Sequence, residues 1–361
     1  VDQRIRDLLR YEPVLARRLQ TVRAFSREVR TAEYHLTNAC NIRCKGCWFF
    51  AYDFDLATRE TKDIQRWRSF AAAQRARGVT SALLIGGEPT LVEDRIRAFV
   101  SAMPYVTISS NGLRPLTRDG FENVTVALTL FGGGPLDDSL RGHSPSGRTL
   151  HGLLRTALDN YKHDDRAIFI FALARESAPF ILDTVRVIAD NGNQLTFNYY
   201  SPYGAAPPQE AKEVESHLLE AALRAAERYP EAVACHPFFI EALLRGKTPF
   251  ANWGYEVCPS ISVDHPAHSE RLSNGNPVLR GFNAWAADTE TINFCCTSGH
   301  CETCRDSQAI YSWLMLSLPH FLGSPSELLT WVEIAESYWR QFVWSPYHPR
   351  ATRDSIAGFS D

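Results

Sequence analysis

Three cysteines, Cys40, Cys44 and Cys47, fall within eight positions of the stretch LTNACNIRCKGCWFF (36–50), and no fourth cysteine lies nearby. Three thiolates are one short of the four that close a structural zinc site or a ferredoxin-type cluster. The spacing C-x3-C-x2-C can hold three irons of a cubane cluster and leave the fourth open to a small molecule. His35 is a candidate fourth protein ligand, which would make the site zinc, but it precedes the triad within an expected strand. The residues alone favour the open cluster. Such a loop has to be displayed at the edge of a rigid frame.

The frame is readable in the surrounding pattern. From residue 31, runs of strand length at 31–37, 81–87, 105–110, 123–131, 166–174 and 194–201 alternate with helix-like segments at 57–76, 91–102, 147–163 and 179–191. Six strands joined by helical crossovers predict an α/β fold, a parallel sheet flanked by helices and closed or partly closed into a barrel. Chemistry in such folds gathers at the C-terminal strand ends, and the cysteine triad directly follows the first strand. Residues 1–30 read as helical, with Ile5, Leu8, Leu9, Leu15, Leu19 and Val22 at helical spacing. Beyond 201–209 the alternation stops. Helical segments near 210–228 and 236–246 precede a turn-rich stretch, and two more follow near 306–318 and 326–342. The expected division is a helical extension (1–30), a core (31–205), a C-terminal domain (206–345) and a polar tail (346–361).

Composition excludes several classes. With 361 residues, 45% hydrophobic content and a net charge of −3, the chain has no electrostatic case for a nucleic-acid or membrane partner. It carries neither a membrane-span-length apolar run nor the apolar core of a signal peptide, so a cytoplasmic location is expected. Its nine cysteines are clustered, which suits metal binding in a reducing compartment better than a disulfide framework.

At the end of the second strand stands GGEP, residues Gly86, Gly87, Glu88 and Pro89. Two glycines let a ligand approach the backbone, and Glu88 offers an acceptor. On the triad, on GGEP and on the strand order through about residue 204, the chain resembles the radical S-adenosylmethionine (SAM) superfamily. The resemblance implies a partial (β/α)6 barrel in which Cys40, Cys44 and Cys47 bind a [4Fe–4S] cluster and SAM chelates its fourth iron. Gly86 to Glu88, in the motif closed by Pro89, would meet the SAM amino group. An electron donor such as flavodoxin or ferredoxin would supply one electron, giving a 5′-deoxyadenosyl radical that takes hydrogen from a substrate. ISSNG (108–112) resembles the family's third-strand motif, which makes Ser110 and Asn111 candidates beside SAM. Thr129 sits where a ribose-contacting residue is common, and Arg141 lies in a loop that reaches SAM or substrate. The family's aromatic before the third cysteine is Gly46 here; Trp48 is the candidate to pack on the adenine instead.

A second cysteine group, EVCPS (256–260) and NFCCTSGHCETC (293–304), resembles the shortened auxiliary-cluster domain called twitch, a relative of SPASM. Cys258, Cys295 or Cys296, Cys301 and Cys304 would bind an auxiliary [4Fe–4S] cluster, with a structural zinc knuckle as the alternative. Cys235 reads as a small buried residue on a helix. Substrate is expected between the barrel mouth and this second centre, with Phe131, Asn198, Tyr200 and Tyr203 as lining candidates; Asp137 and Asp138 read as a solvated turn. About thirty residues precede the first strand, too few for a peptide-recognition module. The expectation is therefore oxidation or rearrangement of a small-molecule biosynthetic intermediate. The alternatives are a peptide-modifying maturase and a non-catalytic protein with two metal sites.

Overall fold

The computed structural model describes residues 2–200, 212–246, 262–266, 281–293 and 304–342. Six parallel strands pair in chain order: β1 (Thr31–His35), β2 (Ser81–Ile85), β3 (Tyr105–Ser110), β4 (Val124–Phe131), β5 (Ala167–Leu173) and β6 (Gln194–Tyr199). Each lies where the sequence predicts a strand. The crossovers carry α3 (Trp48–Ala51), α4 (Phe54–Ala57), α5 (Ile64–Ala76), α6 (Glu93–Val100), α7 (Pro135–Arg141), α8 (Leu153–Asn160) and α9 (Ile181–Asp190). They are flanked by α1 (Asp2–Leu9) and α2 (Pro13–Glu28) before the sheet, and by α10 (Lys212–Arg228), α11 (Pro237–Arg245), α12 (Ser307–Leu316) and α13 (Pro325–Phe342) after it.

Two crossover helices are shorter than their periodicity predicts. The helix expected from 57 begins at Ile64, because Asp63 caps it by accepting from the Gln65 amide at 2.9 Å. The helix expected over 147–163 is reduced to Leu153–Asn160. Gly147 and Gly152 both have positive φ, and the Asp138 carboxylate takes the amides of Gly152 and Leu153 at 2.6 and 3.0 Å. Asp138 is thus a helix cap and not a solvated turn residue. Cys235, expected on a helix, is buried in the bend just before α11, two residues after Val233 bridges Leu195 of β6.

The two faces of the sheet differ. Tyr34, Leu84, Ile108, Leu128, Phe169 and Phe197 face the helices in one continuous apolar core. Each such side chain contributes roughly 1.5–3 kcal/mol by burial. Alternate residues of all six strands line a single cavity of about 360 Å³, among them Glu33, Ile85, Thr107, Thr129, Ala172 and Asn198. The sheet therefore curls around this space. A closed barrel fills its interior with layers of branched apolar side chains; here small and polar residues leave it open.

The sheet continues past β1, which the sequence did not predict. A hairpin of β7 (Ala284–Trp285) and β8 (Ile292–Asn293) adds to β1, with β7 parallel to it. At the opposite end of the chain, α13 packs on α2. Trp339 meets Phe25 edge-on at 4.9 Å and donates to Ser26 at 3.2 Å, and Arg18 pairs with Glu336 at 2.7 Å. Tyr338 from α13 and Ser307 and Gln308 from α12 complete the cavity wall.

Candidate active site

The cysteine loop is fastened to four strand ends. Behind β1, the Glu88 amide donates to Ala39 O and the Gly87 amide to Thr37 O, both at 2.8 Å, which extends the β1–β2 pairing beyond the strands. Asn111, after β3, donates from its side chain to Asn41 at 2.6 Å. The amides of Arg43 and Lys45 donate to His143 O and Leu140 O, at the end of α7 after β4. Tyr200, after β6, donates its phenol to Lys45 O at 2.8 Å. Glu60 holds the start of the loop by accepting from Thr37 Oγ1 and the Asn38 amide, both at 2.8 Å, while pairing with Arg95 at 2.7 Å. These hydrogen bonds outweigh the burial that would raise the Glu60 pKa and hold it below the usual carboxylate value.

The GGEP turn does something different from what its sequence suggests. A Cβ on Gly87 would run into the Ala39 carbonyl, and one on Gly86, at φ +131°, would come within 2.7 Å of Thr37 O. The glycines are therefore required by protein backbone, where the cysteine loop and the β2 end touch. Glu88 is no free acceptor either. Its buried carboxylate receives Thr90 Oγ1 at 2.7 Å, the Thr90 amide at 3.1 Å, Ser110 Oγ at 2.9 Å and the Asn111 amide at 2.8 Å. Burial nevertheless raises its pKa. Glu88 straps β2 to β3, and Gly86, Gly87 and Glu88 still line the cavity.

Cys40, Cys44 and Cys47 line the same cavity, together with Trp48, Ser110, Asn111, Thr129 and Arg141. Pro89 does not: it is buried at the start of a short helical turn. Burial pushes the Cys40 thiol up to about 11 and the Cys44 thiol up to about 12, and raises Cys47 as well. Such thiols stay protonated until a metal displaces the proton. Among the described residues, no three His, Cys, Asp or Glu side chains converge on one ion. His35, the candidate fourth ligand, is buried with both ring nitrogens engaged, Nε2 on Glu33 at 3.3 Å and Nδ1 on Asn293 at 3.0 Å. The donor set therefore fits an open polynuclear cluster better than mononuclear zinc.

Asp137 corrects a second expectation of a solvated turn. It is buried, accepts the Phe131 amide at 2.8 Å, and grips Arg141 at 2.7 and 2.8 Å. Burial opposes the Arg141 charge, but Asp137 outweighs it and raises the guanidinium pKa. The lining candidates Phe131, Asn198 and Tyr200 do face the cavity, and the Phe131 and Tyr200 rings meet at 4.9 Å. Burial and the neighbouring Cys44 and Cys47 push the Tyr200 phenol up to about 12. Tyr203 lies outside the described residues, as do Cys258, Cys295, Cys296 and Cys301 and the boundary near 205. Cys304 is described, partly exposed, just before α12.

Sequence reasoning missed Glu33, Asp306, Ser307 and Gln308, all of which line the cavity. Glu33 had one signal, a carboxylate inside the first strand pattern. The other three had none, because α12 lies more than a hundred residues beyond β6.

No family model matches the chain. A probable GTP 3′,8-cyclase of Thermococcus kodakarensis is 34% identical over 113 residues, 29% of this chain and 36% of that protein. The chain thus matches about a third of that relative's length. Among solved structures, anSMEcpe with bound AdoMet and a Kp18Cys peptide gives a TM-score of 0.49 at 11% identity, over 86% of this chain and 87% of that one. HydG, a maturase of the [FeFe]-hydrogenase, gives 0.40 at 9% identity over 96% and 83%. Neither structural likeness bears on the site. The C-x3-C-x2-C loop at the end of β1, the GGEP turn joined to it at the end of β2, and the partial likeness to the cyclase are what make the chain similar to the radical SAM superfamily.

Proposed function

We propose that this chain is an enzyme that holds a [4Fe–4S] cluster on Cys40, Cys44 and Cys47, binds SAM beside it, and acts on a small molecule in the barrel cavity. The observation that carries the reading is the cavity itself, lined by all three thiols, with His35 committed elsewhere. When bound, such a cluster and SAM supply a one-electron cleavage whose adenosyl radical takes a hydrogen atom from substrate.

The chain's own residues bind and orient. Gly86, Gly87 and Glu88 form the rim for the SAM amino group, with Ser110 and Asn111 beside it. Thr129 and Arg141 face the same space, and Trp48 offers an apolar ring at the edge. Phe131 and Tyr200 cover the β4–β6 side of the mouth and exclude water. We extend the reading to an auxiliary cluster on Cys258, one of Cys295 and Cys296, Cys301 and Cys304, and to flavodoxin or ferredoxin as electron donor. Among the described residues no helix is long and apolar enough to cross a membrane.

The test is anaerobic reconstitution, iron and sulfide counting, then reduction with SAM present and detection of 5′-deoxyadenosine. Product that disappears in C44A supports the reading; full iron loading with no product overturns it. Iron retained by a variant lacking all three first-group cysteines would support the second centre, and none retained would remove it.

A further inference from the structure

The barrel has a floor as well as a mouth. Alternate residues of each strand point inward, and these columns continue beneath the active cavity. Thr125 precedes Ala127 and Thr129 on the inward column of β4, and Ile168 precedes Ile170 and Ala172 on that of β5. With Gln194 at the start of β6, Asp164 and Arg166 before β5, and Arg340 from the last turn of α13, they line a second cavity of about 120 Å³. It lies at the N-terminal strand ends, away from the cysteine loop.

Two polar atoms of this wall are buried without a hydrogen-bond partner, Thr125 Oγ1 and Arg340 Nε. Thr125 is 1% exposed. The carboxylates on the wall are taken by other arginines. Arg166 grips Asp164 at 2.6 and 3.0 Å, and Arg118 holds Asp165 at 2.7 and 3.3 Å. Arg166 gives its remaining N–H groups to the carbonyls of Leu116, Thr117 and Phe121. Among the described residues lining the floor, one positive charge is therefore left over, that of Arg340.

The arginine Nε can only donate, and the threonine hydroxyl can donate beside it. Both lack an acceptor, and a buried donor left without one is costly. Water would supply an acceptor without a charge; an oxyanion supplies both, in the form a guanidinium binds best. The cavity has the volume of roughly four liquid waters, which suits a tetrahedral oxyanion and not a nucleotide.

We propose that the barrel floor binds a small oxyanion of phosphate size, held between Arg340 of α13 and Thr125 of β4. The ion ties the last helix to the start of the sheet. Tyr338, on the same helix, walls the active cavity above, so the tie also steadies that wall.

The experiment is isothermal titration and thermal shift on the reconstituted full chain. Inorganic phosphate and sulfate are the probes, and potassium chloride at matched ionic strength is the reference. The expected result is saturable binding of both oxyanions at millimolar concentration or below, with a rise in Tm that chloride does not give. Arg340→Gln should weaken binding about tenfold or more, and Arg340→Lys, which keeps the charge, should recover part of it. Thr125→Val should be neutral or stabilising without oxyanion, since it removes an unsatisfied hydroxyl at nearly constant shape, and should gain less Tm from phosphate than the wild type. No saturable binding, an equal rise with chloride, unchanged affinity in Arg340→Gln, or a full phosphate gain in Thr125→Val would each overturn the proposal. The valine variant decides the matter if the glutamine variant does not fold. SAM cleavage is not a readout, so the outcome is independent of the active-site reading.

Discussion

Gly87 shows how much a single atom matters at the cysteine loop. A Cβ there has no room beside the Ala39 carbonyl, so Gly87→Ala must push the loop away from β2. The expected cost is about 1–3 kcal/mol in chemical denaturation, with SAM binding lost at the same time. Cys44 offers a second test at this scale. Its thiol is raised to about 12 by burial, so at neutral pH the thiolate is nearly absent from the metal-free fold. Alkylation of Cys44 by iodoacetamide at pH 7 should be more than about a hundredfold slower in the folded apoprotein than in urea, read by mass spectrometry of the labelled peptide. Because loading must displace protons, reconstitution should quicken as pH rises.

Among the elements, the β1 loop depends on Glu60 and the α2–α13 contact on Trp339. Glu60 has a lowered folded pKa, so its contribution is complete above the unfolded value near 4.3 and is lost as pH falls through the folded one. Glu60→Gln should therefore cost about 2 kcal/mol at pH 7. The difference from the wild type should vanish in acid, measured by urea titrations across pH. Trp339→Ala should cost about 3–5 kcal/mol, because the ring is buried against Phe25 at the joint between α2 and α13. The strands were legible because the helix-facing residues of each are apolar and the runs are bounded by turn residues. The helix starts at Ile64 and Leu153 were not, because they are set by Asp63 capping locally and by Asp138 reaching across from α7.

The whole molecule is a curled sheet whose open interior is walled by parts remote in sequence. SAM, bound to the reconstituted protein at a hundredfold excess over its Kd, should stabilise the fold by about 2.7 kcal/mol, seen as a rise in Tm that C44A abolishes. The cysteine spacing, the GGEP turn and the strand–helix alternation determined by themselves the family resemblance, the six strands and their order. These are local patterns, readable because each follows from period, turn chemistry and ligand spacing. Only the tertiary structure decided that Glu88 is a strap, that Asp137 is buried against Arg141, and that His35 is taken by Glu33 and Asn293. It alone brought Asp306, Ser307 and Gln308 into the barrel opposite Glu33. Those outcomes depend on which distant groups share one buried space, and no spacing along the chain encodes that.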